Sequence, residues 1–410
     1  MSMHVVFIEP RFPANQRFFV KALAETGARV SAIGEGSKDS LDDDLKRWLV
    51  HYEEVGNVTD AAQVLRAVGI IQSFAHVDRL ETVVEAHVMA AARVREAAGI
   101  PGTTTRTAFL CRDKPAMKQV LAEAGVPCAQ STGASSAGEV AEFARQVGYP
   151  LILKPRDAAG AAGAVRVDSD GEIPAALRSL GADRPGSSVA VEEFIEGHEA
   201  FYDTLTLGGQ VVHEFITHYY PNVLEAMRTR WISPQFVTTN RIDTAPAYEE
   251  VKALGRSVIQ RLGIDTSATH MEWFFGPKGL KFSEIGCRPP GVRAWDLYNV
   301  ANDMDLYREW ANLIVGGRPA QRPSRRFSAG IIALRPDRDG HIAGYEGLDA
   351  IRRAFGDHLI DWHLPPEGSP TQPVEGGYMA NAWIRMKHED YDQLRRILDA
   401  VGQTVRVRAR

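Results

Sequence analysis

Two glutamates on a predicted β-hairpin strongly constrain the fold and the kind of site that this chain can form. Met271–Phe275 and Leu280–Ile285 have the apolar character of paired strands. Glu272 and Glu284 are twelve residues apart, so a turn centred on Lys278 places them opposite each other on one face. Carboxylates opposed at about 4.5–5.5 Å between Cβ atoms repel unless a cation lies between them. Because oxygen ligands suit Mg²⁺, the hairpin predicts a metal site; the alternative is two solvated acids on an exposed face.

Two lysines precede the hairpin in a context that favours phosphate binding. Lys114 lies near a predicted helix start, where a bound anion would offset its unfavourable interaction with the helix dipole. Lys154 ends an apolar strand and is followed by a small-residue loop, 157–163, that contains Gly160 and Gly163. Glycines allow backbone N–H groups to approach phosphate oxygens and allow a loop to close as a lid. Either lysine alone is more typical of a solvated surface residue.

Composition narrows the class of ligand. The chain has 410 residues, a length sufficient for two or three domains. Its residues are 44% hydrophobic and 24% charged, which is ordinary for a globular protein. A net charge of −5 argues against nucleic acid as the main ligand. No apolar run approaches the roughly 20 residues of a membrane span, so we expect no membrane partner and a cytoplasmic location. Three widely separated cysteines are typical of a reducing compartment without a metal cluster. A homodimer is left open.

The first hundred residues alternate strand and helix patterns. Val5–Ile8 and Arg29–Ile33 are predicted strands, and Val83–Ala98 is a predicted helix. This alternation predicts a doubly wound parallel α/β domain. Gly34-Glu35-Gly36 lacks the third glycine of a dinucleotide-binding fingerprint. The segment is therefore predicted to be a simple turn rather than the dinucleotide-binding loop of a dehydrogenase.

The remainder of the chain has a mixed pattern. Antiparallel strands are predicted at Phe201–Leu207, Val211–Thr217 and Phe236–Thr239. Near the end, a small α+β domain is predicted from strands around Ala329–Leu334 and Tyr378–Arg385 and a helix over Tyr391–Val401. The predicted fold class is therefore α/β together with α+β.

These features, in this order, make residues 105–320 resemble the ATP-grasp superfamily. The shared set is the first lysine, the strand lysine, the glycine lid, an E-x-φ-x-G-x-E hinge over Glu193–Glu199 and the paired acids. The resemblance implies a preceding α/β domain over 1–107, an ATP-grasp region over 108–325 with a lid subdomain at about 129–190, and a C-terminal α+β domain over 326–410.

The resemblance also implies a role for each matched residue, with ATP and Mg²⁺, or Mn²⁺ in its place, as cofactors. Lys114 and Lys154 would bind the α- and β-phosphates under a lid containing Gly160 and Gly163. The adenosine would be held by Glu192, by the backbone of Glu193 and Ile195, and by Glu199 at the ribose. Glu272 and Glu284 would hold the metal.

One departure from the family pattern indicates a branch. The family often reads Glu-Ile-Asn-x-Arg, with the asparagine as a third metal contact, whereas this chain reads Glu284-Ile285-Gly286-Cys287-Arg288. Gly286 offers no side chain, so the number of metal ions is left open. The Glu-Ile-Gly-x-Arg form resembles bacterial L-amino-acid ligases and related carboxylate–amine ligases. Arg288 resembles the arginine that steadies the transferred phosphoryl group, and we expect a catalytic role for it and for Lys154.

The branch implies ligation of two small molecules. A carboxylate and ATP would give an acyl phosphate and ADP, and an amine would then displace phosphate. His270, Arg293, Trp295 and Arg230 are candidate substrate contacts; the alternative for each is surface packing or a structural ion pair.

Two other functions remain open at this point. One is a carboxylase of the biotin-carboxylase type, for which ADP release would depend on bicarbonate and need no amine. The other is a non-catalytic ATP-binding regulator, against which retention of both lysines and both glutamates argues.

Overall fold

The computed structural model describes residues 2–156 and 163–410. The predicted lid loop, including Gly160, therefore lies outside the described residues except for Gly163, which has a φ of +74°. Among the described residues, no helix is both long enough and apolar enough to cross a membrane.

The N-terminal unit is the predicted doubly wound domain. Its parallel sheet has the order β3-β2-β1-β4 and consists of β1 (His4–Ile8), β2 (Arg29–Glu35), β3 (His51–Val55) and β4 (Arg79–Glu81). Its helices are α1 (Gln16–Glu25), α2 (Asp43–Trp48), α3 (Ala61–Gln72) and α4 (Val88–Ala98). All five residues of β1 are buried, as expected for a strand covered on both faces.

The helix predicted over Val83–Ala98 is shorter than expected. Val84 is extended, a 3₁₀ turn covers Glu85–His87, and the α-helix begins only at Val88. The segment before it is thus a loop at the end of β4, a position from which its side chains reach the site described below. Gly99, with a φ of +67°, ends the helix as predicted.

A second, antiparallel sheet carries the strand lysine and the hinge. Its order is β5-β8-β6-β7, with β5 (Ser131–Ala134), β6 (Leu151–Pro155), β7 (Val165–Val167) and β8 (Val189–Glu193). The helices of this part are α5 (Thr105–Leu110), α6 (Lys114–Glu123), α7 (Ala137–Val147) and α8 (Ile173–Ser179). Asp113 caps α6 by accepting from the Ala116 N–H, and Pro115 lies in the first turn, so the helix begins at Lys114, close to the predicted start.

The largest sheet has eight strands in the order β13-β12-β9-β10-β11-β14-β17-β16. These are β9 (His198–Leu207), β10 (Gln210–Tyr220), β11 (Gln235–Thr238), β12 (Ser267–Gly276), β13 (Gly279–Gly286), β14 (Ser328–Leu334), β16 (Leu359–His363) and β17 (Ala382–His388). A separate pair consists of β15 (Ile342–Glu346) and β18 (Arg406–Ala409). The strands predicted for a C-terminal domain therefore continue the sheet that carries the glutamate hairpin.

Six helices accompany this sheet. They are α9 (Val223–Ala226), α10 (Ala247–Leu262), α11 (Ala294–Asn302), α12 (Leu306–Gly316), α13 (Leu348–Phe355) and α14 (Tyr391–Thr404). An aromatic core joins α11 and α12 to the N-terminal unit: Trp295 packs against Phe19 and Tyr307, with ring centroids 5.2 and 5.3 Å away. This packing fixes the N-terminal unit against the sheet.

The register of the hairpin confirms that Glu272 and Glu284 lie opposite each other, although the turn differs from the predicted one. Glu272 pairs with Glu284, but Gly276 pairs with Gly279, so the turn is centred between Pro277 and Lys278 rather than on Lys278. A bulge at Ser283 supplies the extra residue that brings the two acids opposite each other.

Candidate active site

Lysines from two elements converge on the glutamate hairpin. Lys114 Nζ lies 3.5 Å and Lys154 Nζ 3.6 Å from the same Oε2 of Glu284. Lys154 Nζ also lies 2.8 Å from Glu192 Oε2 on the neighbouring strand β8. The structure thus brings together the two predicted phosphate-binding lysines, one predicted metal ligand and Glu192, the residue just before the hinge.

The ends of α6 and β6 are tied together, which sets the spacing of the two lysines. Arg156, just past β6, donates Nε and Nη2 hydrogen bonds of 2.8 Å each to the two carboxylate oxygens of Asp113. The Lys114 N–H donates to the Arg156 carbonyl at 3.1 Å. The N-cap of the helix therefore also holds the strand that carries Lys154.

The electrostatics of this cluster keep its groups ionised. Burial opposes ionisation of Glu284, but Lys114 and Lys154 prevail and lower its pKa to about 2. Burial likewise disfavours the Lys154 cation, yet Glu192 and Glu284 raise the pKa of Lys154. At neutral pH the site presents fixed charges of both signs.

A third lysine, which sequence reasoning missed, lies behind the first two. Lys118 is buried on α6, and its Nζ lies 2.6 Å from Glu192 Oε1. Burial lowers the pKa of Lys118 to about 8, against the opposing effect of Glu192. Glu192 thus bridges Lys118 and Lys154. The i, i+4 spacing of Lys114 and Lys118 on one helix face was a signal that could have found it.

A cavity of about 330 Å³ opens beside the cluster. Its polar lining includes Lys114, Lys154, Glu192, Glu199, Asn222, Arg228, Glu272 and Glu284. Its apolar lining includes Ile152, Ala164, Phe194, Ile195, Val223, Leu224 and Phe274. A slot with apolar walls that ends in lysines and carboxylates suits a planar base at one end and a phosphate chain with its cation at the other.

The segment around α9, which leads to the candidate substrate residue Arg230, covers this cavity. Glu199 accepts a 2.6 Å hydrogen bond at Oε2 from the Val223 N–H, and its own N–H donates to Asn222 Oδ1 at 3.0 Å. Burial, with a further contribution from Glu272, raises the pKa of Glu199 to about 8. The position predicted to contact ribose therefore also anchors the cover.

The predicted hinge lies along one wall of the cavity. Glu192, Glu193 and Ile195 all line it. The Glu193 N–H donates to the Gln130 carbonyl at 3.0 Å, so any recognition of a base by the backbone of Glu193 falls to its carbonyl.

The carboxylates of Glu272 and Glu284 fit a magnesium ion whose remaining ligands come from a nucleotide and water. The two carboxylates are paired across the hairpin and both line the cavity. Among the residues that the structure describes, no group of three or more His, Cys, Asp or Glu side chains could hold a metal unaided. Mg²⁺ typically takes one or two carboxylates and completes its shell with phosphate oxygens and water, which matches this partial set.

Gly286 lies beside an ion pair that links the hairpin to the N-terminal unit. Arg288 Nε lies 3.0 Å from Glu85 Oε2, and Arg112 Nε lies 3.4 Å from Glu85 Oε1. A Cβ on Gly286 would lie 3.2 Å from Glu85 Oε2, a tight contact. The glycine that replaces the expected metal-binding side chain thus leaves room for Glu85, another residue that sequence reasoning missed.

The predicted substrate residues do not all reach one place. His270 lies beside the predicted metal ligand Glu272: its Nδ1 is 2.7 Å from Asp203 Oδ1 and its Nε2 is 3.7 Å from Glu272 Oε1. Burial would lower the pKa of His270, but the Asp203 carboxylate raises it to about 9. Arg293 is half-exposed and pairs with Asp296 at 2.5 Å.

The other two predictions for substrate contacts are not supported by position. Trp295 is 4% exposed within the aromatic core described above, because its helix α11 turns that face toward Phe19. Arg230 pairs with Asp339 at 2.6 Å, and Arg228 lines the cavity in its place.

Comparison with known proteins identifies the family of the domain that carries this site. Residues 119–297 match the ATP-grasp domain family, so the chain carries an ATP-grasp domain, as the sequence predicted. An L-arginine-specific L-amino acid ligase of Bacillus subtilis is 26% identical over 363 residues, 87% of this chain and 86% of that protein. The crystal structure of an L-amino acid ligase from Bacillus licheniformis superposes with a TM-score of 0.77 at 16% identity, covering 100% and 99% of the two chains. These relatives support the predicted carboxylate–amine ligase branch.

A further relative is longer than the region it shares with this chain. An uncharacterised protein of Sinorhizobium fredii is 30% identical over 282 residues, which are 66% of this chain and 55% of that protein.

Proposed function

We propose that the protein is an ATP-dependent carboxylate–amine ligase that releases ADP and phosphate. In the first step a substrate carboxylate oxygen attacks the γ-phosphorus of ATP, giving an acyl phosphate and ADP. In the second step an amine attacks the acyl carbon, phosphate leaves, and the amine proton is lost to solvent or a nearby base. The product is an amide or peptide bond.

The observation that carries the proposal is the convergence of Lys114 and Lys154 on Glu284, directly opposite Glu272. Cations at 3.5–3.6 Å from a carboxylate oxygen can turn to phosphate oxygens when a nucleotide enters. Mg²⁺, when bound by the two glutamates and the nucleotide, supplies charge neutralisation of the outer phosphates. The γ-phosphoryl group would then lie on the Arg288 side of the hairpin, because Arg288 lines the small pocket that also contains Lys114 and Glu284.

We assign Arg288 a role at the reacting group. It lines the small pocket that also contains Lys114, His270 and Glu284, and its partner Glu85 holds it there. A guanidinium at this point stabilises negative charge that spreads over the phosphoryl oxygens during transfer. Its effect is strongest in the transition state, so Arg288→Ala should reduce kcat more than it weakens ATP binding.

A coupled assay of ADP release across pairs of amino acids, with mass spectrometry of the products, tests the reaction. We expect ADP and phosphate, and no AMP, together with a product whose mass equals that of the two substrates minus water. Hydroxylamine should trap the activated carboxylate as a hydroxamate in the absence of the amine.

The same assay discriminates against the two competing functions. ADP release that requires bicarbonate and no amine would identify a carboxylase instead. ATP binding without ADP release under every substrate pair would identify a nucleotide-binding regulator. We further propose that the enzyme acts in the cytoplasm on small molecules, with Mg²⁺ or Mn²⁺ as the metal.

A further inference from the structure

A series of buried polar side chains runs from helix α11 to the glutamate hairpin. The Tyr298 hydroxyl donates to Asp203 Oδ2 at 2.5 Å, and Asp203 Oδ1 accepts from His270 Nδ1 at 2.7 Å. On the other side of the imidazole, Nε2 lies 3.7 Å from Glu272 Oε1. These contacts connect the helix that packs against the N-terminal unit with one of the two predicted metal ligands.

The strand register sets the direction of the imidazole. His270 on β12 is the cross-strand neighbour of Asp203 on β9, and Glu272 lies two residues further along β12, on the same face. Because the Asp203 carboxylate accepts hydrogen bonds, it holds the Nδ1 side of the ring and leaves the Nε2 side facing Glu272.

The end of the series that is farther from the hairpin is closely packed. Tyr298 is fully buried and stacks on Phe215 with ring centroids 4.4 Å apart, and its hydroxyl lies 3.1 Å from Thr217 Oγ1. The His270 ring packs against Phe201, with centroids 4.9 Å apart. Side chains whose rotamers are fixed by packing can hold the group that follows them in one orientation.

The two opposed carboxylates of the hairpin each have a basic side chain beside them. Lys114 Nζ lies 3.5 Å from Glu284 Oε2, and His270 Nε2 lies 3.7 Å from Glu272 Oε1. Groups that orient a ligating carboxylate from behind typically change metal affinity about 10- to 100-fold when they are removed. His270 is placed to act on Glu272 in this way.

We propose that Tyr298 and Asp203 act through His270 to hold Glu272 in the orientation in which it shares a divalent cation with Glu284. All three are positioning residues, and His270 serves the metal ligand rather than the carboxylate or amine substrate. This assignment rests on the proposed ligase function, in which Glu272 and Glu284 hold the cation of the nucleotide.

The first experiment changes the hydroxyl at the start of the series without changing any charge. Calorimetric titration of ADP into the full-length protein, with and without Mn²⁺, isolates the part of the affinity that depends on the metal. Tyr298→Phe should reduce this part about threefold, the loss of one hydrogen bond, and leave the binding of ADP alone unchanged. Because no charge is altered, such a loss reports orientation rather than electrostatic attraction.

Tyr307→Phe is the matched control. Tyr307 is also buried, and its hydroxyl donates to another aspartate, Asp296, at 3.0 Å in the neighbouring aromatic core. The variant therefore loses a comparable hydrogen bond that does not lead to Glu272. Its affinity for ADP with Mn²⁺ should equal that of the native protein; an equal loss in both tyrosine variants would overturn the proposal.

A second variant tests whether the effect passes through the imidazole. His270→Asn keeps a donor near Asp203 but removes the nitrogen that faces Glu272. It should weaken the Mn²⁺-dependent part of the affinity about tenfold, and adding Tyr298→Phe should cause no further loss. Independent effects would multiply to about thirtyfold and contradict the series. Tighter Mn²⁺ binding in His270→Asn would show that the imidazole competes with the metal, and would also overturn the proposal.

The outcomes separate this proposal from the ligase function. Weaker Mn²⁺ binding in both variants supports the positioning role even if no substrate pair gives ADP release, in which case only the ligase proposal fails. Native Mn²⁺ binding in both variants, with a raised KM for the carboxylate or the amine in His270→Asn, makes His270 a substrate contact. That result overturns the positioning role and leaves the ligase function intact.

Discussion

Two glutamates, Glu309 and Glu284, show how differently the fold uses a carboxylate. Glu309, on α12, is fully buried and accepts from His213 Nε2 at 2.8 Å, Asn312 Nδ2 at 2.9 Å and the Ala320 N–H at 3.0 Å. Glu284 is partly exposed, and its ammonium neighbours stand at 3.5 and 3.6 Å. A carboxylate whose oxygens accept short hydrogen bonds from the protein itself stabilises the fold. A carboxylate whose cationic neighbours lie farther away can still bind a ligand through its oxygens.

The largest effect should come from Glu284→Gln. The amide removes the negative charge that the metal requires but preserves the shape of the side chain. We expect ADP formation to fall at least about 100-fold, comparable to losing a key electrostatic group. Far-UV circular dichroism should show that the variant stays folded; turnover close to the native rate would remove Glu284 from the metal site.

The matched change, Glu309→Gln, should lower the stability of the fold and leave the catalytic rate unchanged. An amide turns an NH₂ group toward donors that previously met a carboxylate, which costs about 2 kcal/mol of unfolding free energy. Urea denaturation measures this loss, and kcat at saturating substrate should be unchanged. A catalytic defect without a loss of stability would contradict the assignment of Glu309 as a structural anchor.

An intermediate case is Lys118→Met. Without Lys118, Glu192 retains only Lys154 of its two lysine partners and draws that ammonium away from the cavity. The KM for ATP should rise about fivefold, equivalent to about 1 kcal/mol, with little change in kcat. Lys21→Met, on the partly exposed face of α1, is the control. An unaltered KM for ATP would mean that Lys118 does not position Lys154.

The smallest effect concerns pH. The pKa of Glu199 is raised from 4.5 to about 8 in the folded protein, so the folded state holds a proton that the unfolded state releases. Its stabilising contribution is full below about pH 4.5 and is lost as pH rises through about 8. Unfolding free energies at pH 5.5 and 7.5, without nucleotide or metal, should therefore differ less in Glu199→Gln than in the native protein. The exposed Glu196→Gln should behave as native; an identical slope in Glu199→Gln would refute the raised pKa.

The parts of the site that could be predicted are those set by local periodicity. Glu272 and Glu284 share a face because strand side chains alternate, and Asp113 caps α6 because of its place before the helix. Even so, the bulge at Ser283 shows that the correct pairing can arise from a different turn. The fold class was predictable for the same reason, since apolar periodicity distinguishes the N-terminal parallel sheet from the later antiparallel strands.

The parts that could not be predicted depend on distant contacts. Glu85 meets Arg288 across 203 residues of sequence, and no local pattern indicates that pairing. Trp295 was placed near the substrate because it follows Arg288 closely, but α11 turns it into the aromatic core. Proximity in sequence says little about direction once a helix intervenes.

The eight-stranded sheet bears on how the chain could be shortened. β14 is hydrogen-bonded to β11 on one side and to β17 on the other, so it lies in the interior of the sheet. Ending the chain near residue 325 would leave the N–H and C=O groups of β11 as an open row. Such an edge invites pairing with a second molecule, and we expect the truncated chain to aggregate rather than behave as a smaller enzyme.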